Sequence, residues 1–358
     1  MNKQELENEE VRQEEKKTKK KKVRKKKTML GHIRSIISIL LVVGIIGGSY
    51  WYYAFQYRAE VEPETNRKVT NTDSIYTMEQ YIKTLKRNQT VYKYACDEAE
   101  VDNDYGTYVV PGLKSTRTLK VKGDGEAEVC TSMTPQGLAI TEDYILVSAY
   151  CKTKAHDSVI YVIDKESRQF VKEIVLNTKA HVGGMAYDTM NQILWVTGQG
   201  STWAQANAIT LSHLENYSFD DGYHPIEFDM SYNLYKIKRA SFMTYHDGAL
   251  FVGFFTQDNA SVIEKYLINA DGTLYEKEDM NLKRTVGVTD PVAYAVSMQV
   301  ISGKVQGMAF YNNKILLTRS WGILPSEVQI FNYSRYGSLS TSEAYKTIKF
   351  PERLEQIY

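Results

Sequence analysis

One pattern constrains this chain more than any other: a short apolar run opening on small or polar residues, a turn, then a second apolar run, met again and again. Gln136-Gly137-Leu138-Ala139-Ile140 leads to Tyr144–Tyr150, and Gly183-Gly184-Met185-Ala186-Tyr187 leads to Ile193–Gly198. Ser241-Phe242-Met243-Thr244-Tyr245 leads to Ala249–Phe254, and Gln306-Gly307-Met308-Ala309-Phe310 leads to Lys314–Arg319. A fifth opening, Glu355-Gln356-Ile357-Tyr358, follows. The openings are separated by 47, 58, 65 and 49 residues, which leaves each unit room for four strands and their loops. In the first unit all four are readable, at 136–141, 144–150, 158–164 and 169–176, with 165–168 as the third turn. In the fourth unit Glu327 to Tyr333 reads as the third strand.

A four-stranded sheet repeated at this period buries its faces only against its neighbours, so the units are expected to pack radially as blades. The predicted fold is therefore all-β, a β-propeller over 105–358. Five openings predict five blades. The last opening has no three strands after it, so upstream strands (107–110 and 117–121) complete that blade or leave it incomplete. A sixth unit would have to lie in the long stretch 254–305.

The openings PQGLAI, VGGMAY and VQGMAF resemble those of bacterial extracytoplasmic β-propellers of the NHL, gluconolactonase-like and quinoprotein-like type, where a small residue and an apolar pair open each innermost strand. The resemblance covers roughly residues 108–358. It implies an architecture and not an activity, because such folds carry hydrolases, dehydrogenases, lectins and scaffolds alike.

Ahead of the repeats, Ile36 to Phe55 is twenty residues without a charge. As a helix this run spans about 30 Å, the hydrocarbon thickness of a bilayer. Tyr50, Trp51, Tyr52, Tyr53 and Phe55 sit at its far end, where amphipathic aromatics favour the headgroup boundary. Residues 1–34 hold thirteen Lys/Arg against six Asp/Glu, a net of +7, whereas the remainder of the chain carries −6. Positive charge resists translocation, so the expectation is a single-pass signal-anchor helix (35–56) with the N-terminus cytoplasmic and the C-terminal domain extracellular, or periplasmic where there are two membranes. The basic tail (1–34) is read as disordered and attracted to anionic lipid headgroups. A nucleic-acid partner is not expected beside such an anchor. Residues 57–104 are read as a juxtamembrane linker followed by a stalk helix, from the helical spacing of Ile75, Met78, Ile82 and Leu85.

Propeller geometry brings the starts of the innermost strands to the central channel. The aligned positions are Gln136, Gly183, Ser241, Gln306 and Glu355, with His181 two residues ahead of Gly183. Carboxylate, amide and hydroxyl oxygens suit a hard cation, so Ca²⁺ is the cofactor considered there. Tyr150, Trp203, Arg319 and Trp321 follow second strands and are candidates for a ligand-contacting mouth. Cys130 and Cys151 flank a predicted hairpin and are the candidate disulfide pair. No HExxH and no CxxC occurs, so zinc is not expected; no GxSxG occurs, Cys151 has no evident base in the sequence, and His156 reads as a solvated loop residue. The leading functional expectation is a binding module for an envelope protein or carbohydrate. The alternatives are a calcium-dependent hydrolase or lactonase, and a structural subunit of an envelope complex.

Overall fold

The computed structural model describes residues 3–56, 86, 110, 113, 115–123, 125–258, 260–276, 290–322, 325–333, 339–350, 354 and 357–358. It divides into two compact units, Met1–Glu60 and Val61–Tyr358, each treated by itself.

The first unit is one helix, α1 (Lys3–Gln56). Within it Gly31–Trp51, 21 residues of mean hydropathy 1.9, is long and apolar enough to cross a membrane. Its aliphatic side chains are open on all sides: Ile39, Leu40 and Ile46 are 62–63% exposed. The basic tail that was expected to be disordered is instead helical, continuous with the apolar stretch. The local reason is propensity. Glu and Lys are good helix formers, Glu15 stands four residues ahead of Lys19, and the Thr18 hydroxyl donates to the Glu14 carbonyl at 2.7 Å. The linker and stalk helix expected over 57–104 fall outside the described residues, Lys86 apart.

The second unit is built of strands. β1 (Thr116–Leu119) and β2 (Ala127–Cys130) form an antiparallel pair. β3 (Met133–Ile140), β4 (Tyr144–Cys151), β5 (Val159–Asp164) and β6 (Phe170–Val175) form the first four-stranded sheet, in sequence order. β7 (Met185–Asp188), β8 (Ile193–Gln199), β9 (Ala204–Thr210) and β10 (Met230–Leu234) form the second, with the short helix α2 (Leu211–Asn216) between the last two. The third sheet is β11 (Phe242–His246), β12 (Ala249–Gly253), β13 (Ala260–Leu267) and β15 (Ser297–Ser302); β14 (Val292–Ala293) adds to the second sheet, parallel to β10. β16 (Val305–Tyr311), β17 (Lys314–Arg319), β18 (Ser326–Asn332) and β19 (Lys346–Phe350) form the fourth. The strands read in the first unit fall within a few residues of β3–β6. The stretch 254–305 holds no further sheet among its described residues, since its strands join the second and third.

The core lies between consecutive sheets, which is what makes the assembly a propeller. Strand alternation sends neighbouring side chains of one strand to opposite faces. Thus Leu194 and Val196 of β8 pack with Leu146 and Ile160 of the first sheet, while Ile193 and Trp195 pack with Leu250 and Val252 of the third. In the same way Phe251 of β12 turns the other way, onto Met308, Leu317 and Phe331 of the fourth. Burying one such side chain contributes about 1.5–3 kcal/mol. Burial falls from the middle strands to the rim: β5 is buried almost throughout, whereas β19 has no buried residue.

The innermost strands β3, β7, β11 and β16 pack in that order. A Cβ added at Gly137 would meet the Val182 carbonyl oxygen at 2.9 Å and that of Gly183 at 3.0 Å, and one added at Gly183 would run into the Ser241 carbonyl oxygen. Glycine opens these strands because backbone there passes against backbone. In the first two sheets a hydroxyl on the second strand supports this opening: Gly137 N–H donates to Ser148 Oγ (2.8 Å), which donates onward to the Val182 carbonyl (2.6 Å). Thr197 Oγ1 accepts from Gly184 N–H in the next sheet (2.9 Å).

Among the described residues four sheets of four or five strands are formed. The β1–β2 pair lies on the first sheet, where Arg117 of β1 meets the Glu173 carboxylate of β6 at 3.9 Å and also reaches Asp220. The Tyr358 hydroxyl donates to the carbonyl of Ile140, the last residue of β3, at 3.1 Å.

Candidate functional site

Antiparallel pairing puts the starts of the innermost strands and the ends of the second strands on one face of the disc. That face carries the expected residues in different states. His181, ahead of β7, lies flat on Tyr150 near the end of β4, with ring centroids 3.9 Å apart and planes 15° apart. His181 remains exposed, yet its pKa is lowered, first by partial desolvation and then by Lys154 and Arg239, which disfavour the imidazolium. One channel residue and one mouth residue thus form a single aromatic platform.

Two of the other channel positions bond to nearby backbone. The Gln136 amide nitrogen donates to its neighbour's carbonyl, Pro135 O, at 2.9 Å, and Ser241 Oγ accepts from Phe255 N–H at 3.0 Å. Gln306 sits half-buried at an irregularity in β16, and Glu355 falls outside the described residues. Of the remaining mouth residues, Trp203 is 8% exposed and packs edge-on to Tyr235 at 5.3 Å. Arg319 donates to the carbonyl of Gly303, in the link from β15 to β16, and to Glu327 Oε2 of its own sheet, both at 3.0 Å. Trp321 is 39% exposed and leans on Phe255 at 5.7 Å.

The same face holds a cluster the sequence did not announce. Cys130 ends β2 and Cys151 ends β4; the two-residue link Thr131-Ser132 brings β2 to the start of β3, whose Met133 is paired with Cys151. Both are free thiols and not the expected disulfide. Cys151 Sγ is turned instead toward Thr153 Oγ1 at 3.1 Å and His156 Nδ1 at 3.5 Å. His156 is held there because the loop after β4 is pinned to the continuation of β1: Val121 N–H donates to Ala155 O and Asp157 N–H to Leu119 O, both at 2.9 Å. His156 Nε2 in turn meets Glu128 Oε2 of β2 at 3.3 Å, and Lys120 meets Glu128 Oε1 at 3.3 Å. Lys120 foremost, with His156 also, holds the Glu128 carboxyl below its usual range.

Cys151 therefore has a basic partner, contrary to expectation, and His156 is not a solvated loop residue: its side chain is 15% exposed. Burial disfavours both thiolates, but hydrogen bonds from Thr153, His156 and Ser132 pull Cys151 down to about 5, whereas burial keeps Cys130 up at about 11. Among the described residues, Cys130, Cys151 and His156 are the one group of His, Cys, Asp or Glu near enough to share an ion, with donor atoms all within 4.8 Å of one another. Only the Cys151-x₄-His156 spacing was legible; Cys130 and Glu128 arrive from another strand.

No family model matches the chain, and no curated protein matches it by sequence. Among solved structures it is similar to a hydrazine synthase chain of Kuenenia stuttgartiensis (13% identity, 64% of this chain and 56% of that one, TM-score 0.34). It is also similar to the glutaminyl cyclase of Myxococcus xanthus (13%, 56% and 67%, TM-score 0.35) and to the WD40 domain of Toxoplasma gondii coronin (9%, 62% and 45%, TM-score 0.32). This chain thus spans little more than half of the hydrazine synthase chain. The sheets and the layers between them set the class of protein: a β-propeller chain that, among the described residues, also has one helix long and apolar enough to cross a membrane. The likeness to NHL and gluconolactonase-like propellers rests on the strand openings alone.

Proposed function

We propose that this chain is a membrane-tethered binding module whose propeller takes an acidic carbohydrate or protein of the cell envelope on the face where the innermost strands begin. The observation that carries the reading is the Tyr150–His181 stack, exposed on its histidine side and flanked by the charges of Lys154 and Arg239. A flat aromatic pair offers a stacking surface, and neighbouring cations favour an anionic ligand. Gly31–Trp51 supports the anchor reading, and the basic residues ahead of it support an orientation with the propeller outside. We read β1, β2 and Tyr358, whose hydroxyl reaches the Ile140 carbonyl, as parts of a reduced fifth blade that closes the ring next to β3. A calcium-dependent hydrolase is not favoured, because the one ion-sized cluster among the described residues offers sulfur and nitrogen.

The test is binding of the full chain, reconstituted in lipid nanodiscs, to an acidic and a neutral envelope polysaccharide and to envelope protein extract. Retention of the acidic ligand, weakened at least about tenfold by Tyr150→Ala and by higher salt, is the expected outcome. Equal binding by Tyr150→Ala would sink the proposed face. Recovery of the chain in the soluble fraction of cells, without deletion of 31–51, would sink the tether.

A further inference from the structure

We propose that Cys130, Cys151 and His156 form a zinc site with three protein ligands and one open position, oriented from behind by Glu128. The argument is geometric and chemical. A tetrahedral zinc, with Zn–S of about 2.3 Å and Zn–N of about 2.0–2.1 Å, sets sulfur and nitrogen about 3.5 Å apart and two sulfurs about 3.8 Å apart. Cys151 Sγ and His156 Nδ1 stand at 3.5 Å, and the three donors together fit within 4.8 Å. These separations are close to those a shared ion requires.

The support behind the donors matches what a metal-bound imidazole requires. The nitrogen facing away from the ligand atom must be held by an acceptor, which fixes the ring and raises its basicity. Glu128 Oε2 does this at 3.3 Å from Nε2, and Lys120 in turn steadies Glu128. Backbone bonds fix the frame: the loop carrying His156 is stitched to β1, and Lys152 N–H donates to Ser132 O at 3.0 Å. The cysteines are wholly shielded (0% and 1% exposed), so the ion enters past His156, the most accessible of the three ligands. Ser132 Oγ lies 3.8 Å from Cys130 Sγ and 3.6 Å from Cys151 Sγ, beside the position left for a water. Thiolate and imidazole donors select zinc over calcium or magnesium.

The test uses the full chain in detergent, reduced and stripped with a chelator, then titrated with Co²⁺ as a spectroscopic probe and with Zn²⁺. Expected are one ion per chain, a thiolate-to-cobalt charge-transfer band with the intense visible bands of a tetrahedral site, and displacement of cobalt by zinc. Cys130→Ser, Cys151→Ser and His156→Gln should each remove the charge-transfer band or weaken zinc binding at least a hundredfold. Glu128→Gln, at a half-exposed side chain and with circular dichroism used to check that the fold is kept, should weaken it about 10- to 100-fold. The site is refuted by the lack of a thiolate–cobalt band when both thiols are shown to be free. It is refuted equally if the reduced, folded Glu128→Gln chain binds zinc as tightly as the parent, or if binding survives in the Cys130→Ser/Cys151→Ser double variant. Rapid return of the reduced thiols to a disulfide in the presence of excess zinc also overturns it, since an oxidised pair cannot ligate.

Discussion

Gly183 passes directly against the carbonyl oxygen of Ser241, so that the chain entering the second sheet and the chain entering the third meet there backbone to backbone. Nothing larger than hydrogen fits on that Cα. Gly183→Ala should destabilise the propeller by at least about 1–3 kcal/mol, the usual range for overpacking, because the obstacle is backbone and not a side chain able to swing away. Urea unfolding followed by tryptophan fluorescence measures it; a midpoint unchanged from the parent would contradict the packing described.

Ser148 is the hinge pin between the first two sheets, accepting from Gly137 N–H and donating to the Val182 carbonyl. Both groups are buried, so Ser148→Ala leaves two polar atoms without that partner. The expected cost is about 1–3 kcal/mol, read from the same unfolding curves. The Gly137 amide, which loses its acceptor, should also exchange with deuterium faster in the variant.

His181 titrates below the ordinary histidine value, through desolvation first and the cations Lys154 and Arg239 second. The folded state therefore resists protonation more than the unfolded one does. The sign follows: this contribution to stability is complete above about pH 6.5 and is lost as pH falls from there through the lower, folded value. His181→Gln should flatten the fall in melting temperature between neutral and mildly acidic pH, and the His181 ring protons should titrate low by NMR. A His181 titration above 6.5 would remove the basis for a cation-rich face.

Arg117 ties β1 to the first sheet through Glu173, which is 5% exposed, and through Asp220, which is 60% exposed. The buried partner matters more, since an exposed ion pair contributes little. Arg117→Met keeps much of the aliphatic stem and removes the charge. Hydrogen exchange should rise in β1 and β2 while β8 and β12 stay protected. Uniform exchange across all sheets would mean that the pair is not a separable element.

The repeated strands were legible because their signal is local: Ile193–Gly198 and Lys314–Arg319 each alternate side chains that must enter two different layers. Glycine at 137 and 183 was legible as a repeat, but its cause, a neighbouring backbone, lies in another sheet. The helical basic tail was missed because Lys and Glu carry no apolar period, although both favour helix on propensity alone. The membrane-length stretch needed only hydropathy. Of the site, Tyr150 and His181 were named separately and for different places; only the disc face joins them. The cluster of Cys130, Cys151, His156 and Glu128 needed the pairing of β1 with β2 and of that hairpin's loop with His156, which no spacing encodes.

The bond from Tyr358 to Ile140 joins residues 218 positions apart in the chain. A contact of that span forms late, after the sheets between have ordered, because bringing such distant segments together is entropically slow. If the propeller is threaded through a membrane pore behind its own helix, β3 emerges early, just after β1 and β2, and must wait, its innermost edge uncovered, until residue 358 arrives. Export speed, more than equilibrium stability, would then decide how much of the protein reaches its folded form, and a holding factor outside the membrane would be of greatest use during that interval.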